Sequence, residues 1–115
     1  MSHITKLKAK VKFKDKSLLK SALEKSCTSQ WKELDHGFVV SINGRNVEFR
    51  LEEGEYSPYA DRYGMAEEID ALVDKVSGAY IAVAADKHLR SKGYYSTLKV
   101  EEDGRIRVSG WRVMQ

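Results

Sequence analysis

Residues 6–14 read Lys-Leu-Lys-Ala-Lys-Val-Lys-Phe-Lys, with lysine at every even position and Leu7, Ala9, Val11 and Phe13 at the odd ones. Strict period-two alternation predicts a strand with one buried face and a comb of lysines, Lys6, Lys8, Lys10, Lys12 and Lys14, on the other. Asp15 or Ser17 then caps a helix predicted over Lys16–Cys27, on which Leu18, Leu19, Ala22, Leu23 and Cys27 recur at three- and four-residue spacing.

Outward from this strand–helix pair the chain shows no internal repeat. A polar connection spans Thr28–His36. Phe38, Val40 and Ile42 alternate into Asn43-Gly44, a pair suited to a type I′ turn, and Val47, Phe49 and Leu51 make the returning strand. Residues Glu52–Gly64, with Pro58 and the tyrosines Tyr56, Tyr59 and Tyr63, read as a long loop. The second helix follows from Ile69, Leu72, Val73, Val76, Tyr80, Val83 and Ala84 on one face, with Glu67, Glu68 and Asp70 in the first turn and Gly93 as the stop. Gly78 inside it costs roughly 1 kcal/mol against alanine, which predicts a close packing contact there. A hairpin closes the chain: Leu98 and Val100, a turn at Asp103-Gly104, then Ile106 and Val108, with a bulge predicted at Ser109-Gly110 where the apolar parity shifts before Trp111.

Strand, helix, strand, strand, helix, strand, plus one further strand is the order of the ferredoxin-like, or split βαβ, fold. The expected architecture is α+β: an antiparallel sheet with the first strand central, two helices on one face and an extra C-terminal strand. At 115 residues and 13.1 kDa the chain is one domain, 1–115. A large multidomain enzyme is excluded. With 42% hydrophobic and 32% charged residues the composition is that of a globular protein. Cys27 is alone, which predicts a protein without an intramolecular disulfide and an intracellular location. The longest apolar run, Ala79–Ala85, is far short of a membrane span, and the N-terminus lacks the apolar core of a signal peptide.

Net charge is +3, unevenly spread: residues 1–30 carry eight lysines against Asp15 and Glu24, a net +6, which leaves −3 for the remainder. Such asymmetry favours an acidic partner. On a strand the lysines of the comb stand ~6.6 Å apart, a spacing suited to phosphate oxygens. Against that reading, Glu48 and Glu101 on neighbouring strands would neutralise the comb across the sheet. The aromatic platforms with which ferredoxin-like folds read single-stranded RNA are missing from the central strands, where Glu48 and Arg50 stand instead.

His3, His36 and His88 are scattered without ligand spacing, and one cysteine cannot start a metal–thiolate site, so no metal and no cofactor are expected. A free Met-Ser-His terminus offers His3 and the terminal amine to copper or nickel, but removal of Met1 ahead of the small Ser2 shortens that site by one residue. Cys27 lies on the apolar stripe of the first helix and reads as a buried thiol. The carboxylates Glu52, Glu53, Glu55 and Asp61 offer acid–base pairs, but acidic loops are usually only solvated. Tyr56, Tyr59, Arg62 and Tyr63, with Trp111 and Arg112 near the other end of the chain, are the residue types that enrich protein interfaces.

The opening Met-Ser-His-Ile-Thr-x-Leu, Asp15 with Leu19, Ala22 and Leu23, Ala60-Asp61 before Tyr63-Gly64, Ala79-Tyr80, Gly93-Tyr94 and Asp103-Gly104-x-Ile106 form an ordered series over nearly the whole chain. In order and spacing it resembles the family called hypothetical chloroplast open reading frame thirty-five, or domain of unknown function twelve fifty-seven. The resemblance implies an origin in plastids, cyanobacteria, other bacteria or bacteriophages, with residence in the cytoplasm or plastid stroma. It implies no catalytic residues. Lys25-Ser26-Cys27 stands where family members tend to have Leu-Gly.

The expected function is binding without turnover. A protein partner docks on the tyrosine-rich loop, through Tyr56, Tyr59, Arg62, Tyr63, Trp111 and Arg112, with the basic sheet face steering an acidic surface. The alternative is nucleic-acid binding along Lys6–Lys14. A third reading is an enzyme or small-molecule pocket between the long loop and the second helix, with Asp61 and the tyrosines as its polar groups. An exposed edge strand also allows a homodimer.

Overall fold

The computed structural model of the protein describes residues 3–27, 30–102 and 105–112. In chain order they form β1 (Ile4–Lys6), α1 (Lys16–Cys27), β2 (Trp31–Leu34), β3 (Gly37–Ile42), β4 (Arg45–Glu52), β5 (Glu55–Asp61), α2 (Ala66–Ser91), β6 (Tyr95–Val100) and β7 (Ile106–Trp111). Strands β1 to β5 make one antiparallel sheet in the order β1-β5-β4-β3-β2, and β6 and β7 make a separate two-stranded ribbon. The fold is α+β, as the sequence predicts.

Tight turns join β2 to β5. Asn43-Gly44 (φ 47° and 81°) and Glu53-Gly54 (φ 50° and 82°) both have the paired positive angles of a type I′ hairpin. The second corrects the long loop expected over Glu52–Gly64, most of which is β5. Glutamate is a rare first residue for such a turn, so the dipeptide carries no strong signal. Likewise the connection expected over Thr28–His36 contains β2, an edge strand with only Trp31 half-buried and therefore without an alternation to read.

β5 lies between β1 and β4 and carries Pro58, which has no N–H to give to the ladder. On the β1 side the Pro58 carbonyl accepts the Leu7 N–H at 2.8 Å, and the reciprocal bond cannot form. There the pairing stops. The chain rejoins β5 at Phe13, whose carbonyl accepts the Tyr56 N–H at 2.8 Å. Residues 8–12 thus oppose Ser57 alone and leave the sheet as an excursion. This corrects the strand expected over Lys6–Lys14 and its central place: β1 is short and at the edge.

Phe13 is 1% exposed and meets Phe49 (5.6 Å, 85°) and Tyr80 (5.1 Å, 87°) edge to face. Two residues on, Asp15 caps α1, its Oδ1 accepting the Leu18 N–H at 3.0 Å while its own N–H donates to the Tyr80 hydroxyl at 3.0 Å. Leu19, Ala22 and Leu23 of α1 and Ile69, Val73, Val76 and Tyr80 of α2 share one buried cluster with Phe38, Val40, Val47 and Phe49. The cross-strand pairs Phe38–Phe49 and Val40–Val47 set those four on one sheet face, so both helices cover the same face.

α2 ends in a Schellman motif, Tyr94 N–H to Leu89 carbonyl (3.0 Å) and Gly93 N–H to Arg90 carbonyl (3.1 Å), with Gly93 at φ 85°. At ~1.5 Å per residue its 26 residues run about 39 Å, against about 27 Å for the eight residues of β4. The chain reverses after α2, and β6 and β7 pair with each other and not with the sheet, while Ile106 packs against the main core. This corrects the split βαβ topology. The ribbon packs instead on the last turns of α2, where Arg90 Nη2 donates to the Ser96 carbonyl at 2.6 Å, and the molecule is drawn out to 63 × 33 × 23 Å. No bulge interrupts β7: the register runs unbroken from Ile106 to Trp111, and Gly110 is the place where Leu89 lies so close that a Cβ would stand 2.8 Å from its Cδ1. The Asp103-Gly104 turn and the Met1-Ser2 terminus lie outside the described residues.

Two glycines test this account in opposite directions. A Cβ on Gly37, at φ 152°, would stand 1.9 Å from the Phe49 carbonyl oxygen, so Gly37→Ala lowers unfolding stability by about 2–3 kcal/mol in urea titration. Gly78 corrects the expectation of a close contact, since a Cβ there meets nothing within 4 Å; Gly78→Ala raises stability by up to about 1 kcal/mol.

Candidate functional site

The excursion keeps the alternation of its sequence without a ladder. Leu7 and Phe13 are buried, Ala9 and Val11 pack half-buried against the core, and Lys8, Lys10, Lys12 and Lys14 point to solvent. Lys6 pairs with Glu52 (3.6 Å) and Lys10 with Asp74 (3.9 Å). Lys8, Lys12 and Lys14 have no ion-pair partner among the described residues. Glu48, expected to neutralise the comb, is engaged by Arg50 (Nε–Oε2 3.1 Å) on the helix-free face of the sheet.

Between the excursion and the first half of α2 lies an open groove of about 640 Å³. Lys6, Lys8, Lys10 and Arg62 line it together with Asp70 and Asp74. Arg62 is clamped by Asp70 through two bonds, Nε–Oδ1 3.0 Å and Nη2–Oδ2 2.6 Å, which hold its guanidinium charged still more firmly. The groove is thus lined by matched charges, with Lys8 as the unmatched one.

The six residues expected to form a protein-docking surface are dispersed. Tyr56 is 7% exposed and belongs to the core. Tyr59 lies flat on the helix-free face, under the Arg50 guanidinium at 4.5 Å, and its hydroxyl donates to Glu52. That bond, with help from Lys6, holds the Glu52 carboxyl below its usual range and pushes the Tyr59 phenol up. Tyr63, 85% exposed, sits just before α2, in a bend held by Arg45 through the Asp61 and Tyr63 carbonyls. Trp111 and Arg112 are on the ribbon beside the last turns of α2, most of that helix's length of about 39 Å away.

On the ribbon the structure assembles a surface that sequence reasoning missed. Cross-strand pairs Tyr95–Trp111, Thr97–Ser109 and Lys99–Arg107 occupy the face turned away from α2. The two rings stack, centroids 6.0 Å apart and planes 21° from parallel, and are 58% and 48% exposed. Arg107 Nε meets Glu101 at 3.0 Å, Lys99 has no partner among the described residues, and Arg112 lies over Tyr94 at 5.0 Å. The alternation Tyr95, Thr97, Lys99 is visible in the sequence, but its match to Trp111 depends on the register.

Elsewhere the side chains are quiet. Burial pushes the Cys27 thiol up, and its Sγ lies 3.6 Å from Ser26 Oγ. Asp61 Oδ1 accepts the Tyr63 N–H at 3.0 Å. Among the described residues no group of His, Cys, Asp and Glu could hold a metal ion, and no helix is long and apolar enough to cross a membrane. Comparisons with protein-family models, curated proteins and solved structures return no match.

The Glu52 carboxyl supplies a local test. Being depressed in the folded state, it contributes stability above its unfolded pKa that is lost as pH falls through the folded one. Tyr59→Phe removes the largest cause, so the Glu52 midpoint in an NMR carboxyl titration rises toward the ordinary value. An unmoved midpoint refutes the bond.

Proposed function

We propose that the protein binds a nucleic acid through the lysine excursion and carries out no turnover there. The observation that supports this most is the escape of Lys8, Lys12 and Lys14 from the sheet, which leaves them exposed and without the carboxylate partners a regular strand would have supplied. Unpaired lysines in a row are the sequence-independent part of nucleic-acid affinity, because each phosphate they neutralise releases a counterion. An intracellular location, as the family resemblance implies, gives access to such a partner.

Fluorescence anisotropy with a labelled DNA duplex over a range of salt tests the proposal. The logarithm of the association constant falls linearly with that of salt, and the triple variant Lys8→Gln, Lys12→Gln, Lys14→Gln flattens the slope by up to about 3. Its melting temperature stays that of the parent, since these exposed side chains make no ion pair or hydrogen bond among the described residues. A flat response in the parent, or an unchanged slope in the variant, overturns the reading.

Docking on a protein is the second reading, favoured by the exposure of Tyr63. An acidic protein that resists nuclease and is lost with Tyr63→Ala would put it first.

A further inference from the structure

The ribbon formed by β6 and β7 buries one face on α2 and leaves the other bare. That bare face is not the usual solvated side of a hairpin. At one end it presents Tyr95 and Trp111 as a stacked pair, 58% and 48% exposed; at the other it presents Lys99 and Arg107. Thr97 and Ser109 lie between them with their hydroxyls, and Glu101, opposite Arg105, adds a carboxylate to the same face beyond Lys99. Four residues separate Tyr95 from Lys99, about 13 Å along the strand. Glu101 holds Arg107 at 3.0 Å, while Lys99, on the same face, has no ion-pair partner among the described residues.

Aromatic rings beside cations on an open strand pair are the two elements that single-stranded nucleic acids require: a π-face for an unpaired base and a positive charge for the backbone. A duplex offers only the backbone, because its bases are already stacked and paired. We infer that the outer face of the β6–β7 ribbon is a stacking platform for single-stranded nucleic acid, with Tyr95 and Trp111 receiving a base and Lys99 the phosphate beside it. This inference rests on the nucleic-acid reading above and deepens it, since the excursion lysines carry no preference between single strand and duplex whereas the ribbon does. The choice of nucleic acid over a second copy of the chain rests on the unpaired Lys99 on the face of the rings, which attracts an anionic occupant and which a second copy would meet with a face of the same composition.

The test is a titration of labelled oligothymidylate and of a duplex of equal length, each against the parent protein, Trp111→Ala, Tyr95→Ala, Trp111→Phe and the excursion triple variant. Oligothymidylate binds the parent more tightly than duplex. Trp111→Ala and Tyr95→Ala each weaken oligothymidylate by roughly 5- to 150-fold, the span of single base–aromatic contacts, and leave duplex affinity unchanged. Trp111→Phe, which keeps a ring, retains most of the affinity and guards against a loss caused by a disordered ribbon. If the ring variants bind oligothymidylate like the parent while the triple variant loses it, the platform is refuted and the excursion reading survives. If the parent binds neither probe, both fail. A dimer in sedimentation that Trp111→Ala dissolves, without preference for oligothymidylate, overturns the platform in favour of self-association.

Discussion

Phe13 is the residue on which the separate parts of this molecule converge. Its ring meets Phe49 of the sheet and Tyr80 of α2 edge to face, and its carbonyl holds the Tyr56 amide of β5. Each such ring pair is worth about 0.5–1.5 kcal/mol beyond the area it buries. The Tyr80 hydroxyl, placed by the same packing, accepts the amide of Asp15, which in turn caps α1. Sheet, long helix, short helix and N-terminal segment are thus referred to one buried ring. Remove it and the excursion loses its far anchor, while α1 loses the support of its cap.

The near anchor is set by a missing atom. Pro58 has no N–H, so the β1 ladder closes at Leu7 and cannot continue past it. Between a strand that must stop and a phenylalanine that must be buried, residues 8–12 have one course, out of the sheet and back. Apolar odd positions still turn inward and lysines outward, and for that reason the sequence reads as a strand. Periodicity reports which side chains are buried; it does not report whether the backbone is paired. The proline that decides the matter lies some fifty residues away, on a segment whose own strand character is hidden by an unusual turn residue, Glu53 at φ 50°. Both errors therefore have one source: β5 was illegible, and β1 depended on it.

What was legible shares a property: it is decided within a few residues. The bounds of α1, the Asn43-Gly44 turn, the Gly93 stop and the core positions of β3 and β4 all follow from local spacing and local capping. The candidate surfaces are not of this kind. Tyr95 and Trp111 come together only because the ribbon pairs Glu101 with Arg105; a two-residue turn at Asp103-Gly104 would have set Arg112 opposite Tyr95 and sent Trp111 to the other face. A shift of one residue changes the face of every side chain on a strand. The tyrosine cluster expected around Arg62 does not form for a different reason: residues close in the chain need not share a face, and alternation on β5 sends Tyr56 into the core and Tyr59 onto the open face.

α2 gives these local outcomes their spatial meaning. It is longer than the sheet it covers, and that excess carries the last two strands clear of the sheet, where they can keep a bare face. The excursion follows the same helix, with Lys10 at Asp74 and Asp15 at Lys87, so the lysines run along α2 toward the end that carries the ribbon. Charge without partners and rings without cover are thus arranged in sequence along one rigid element.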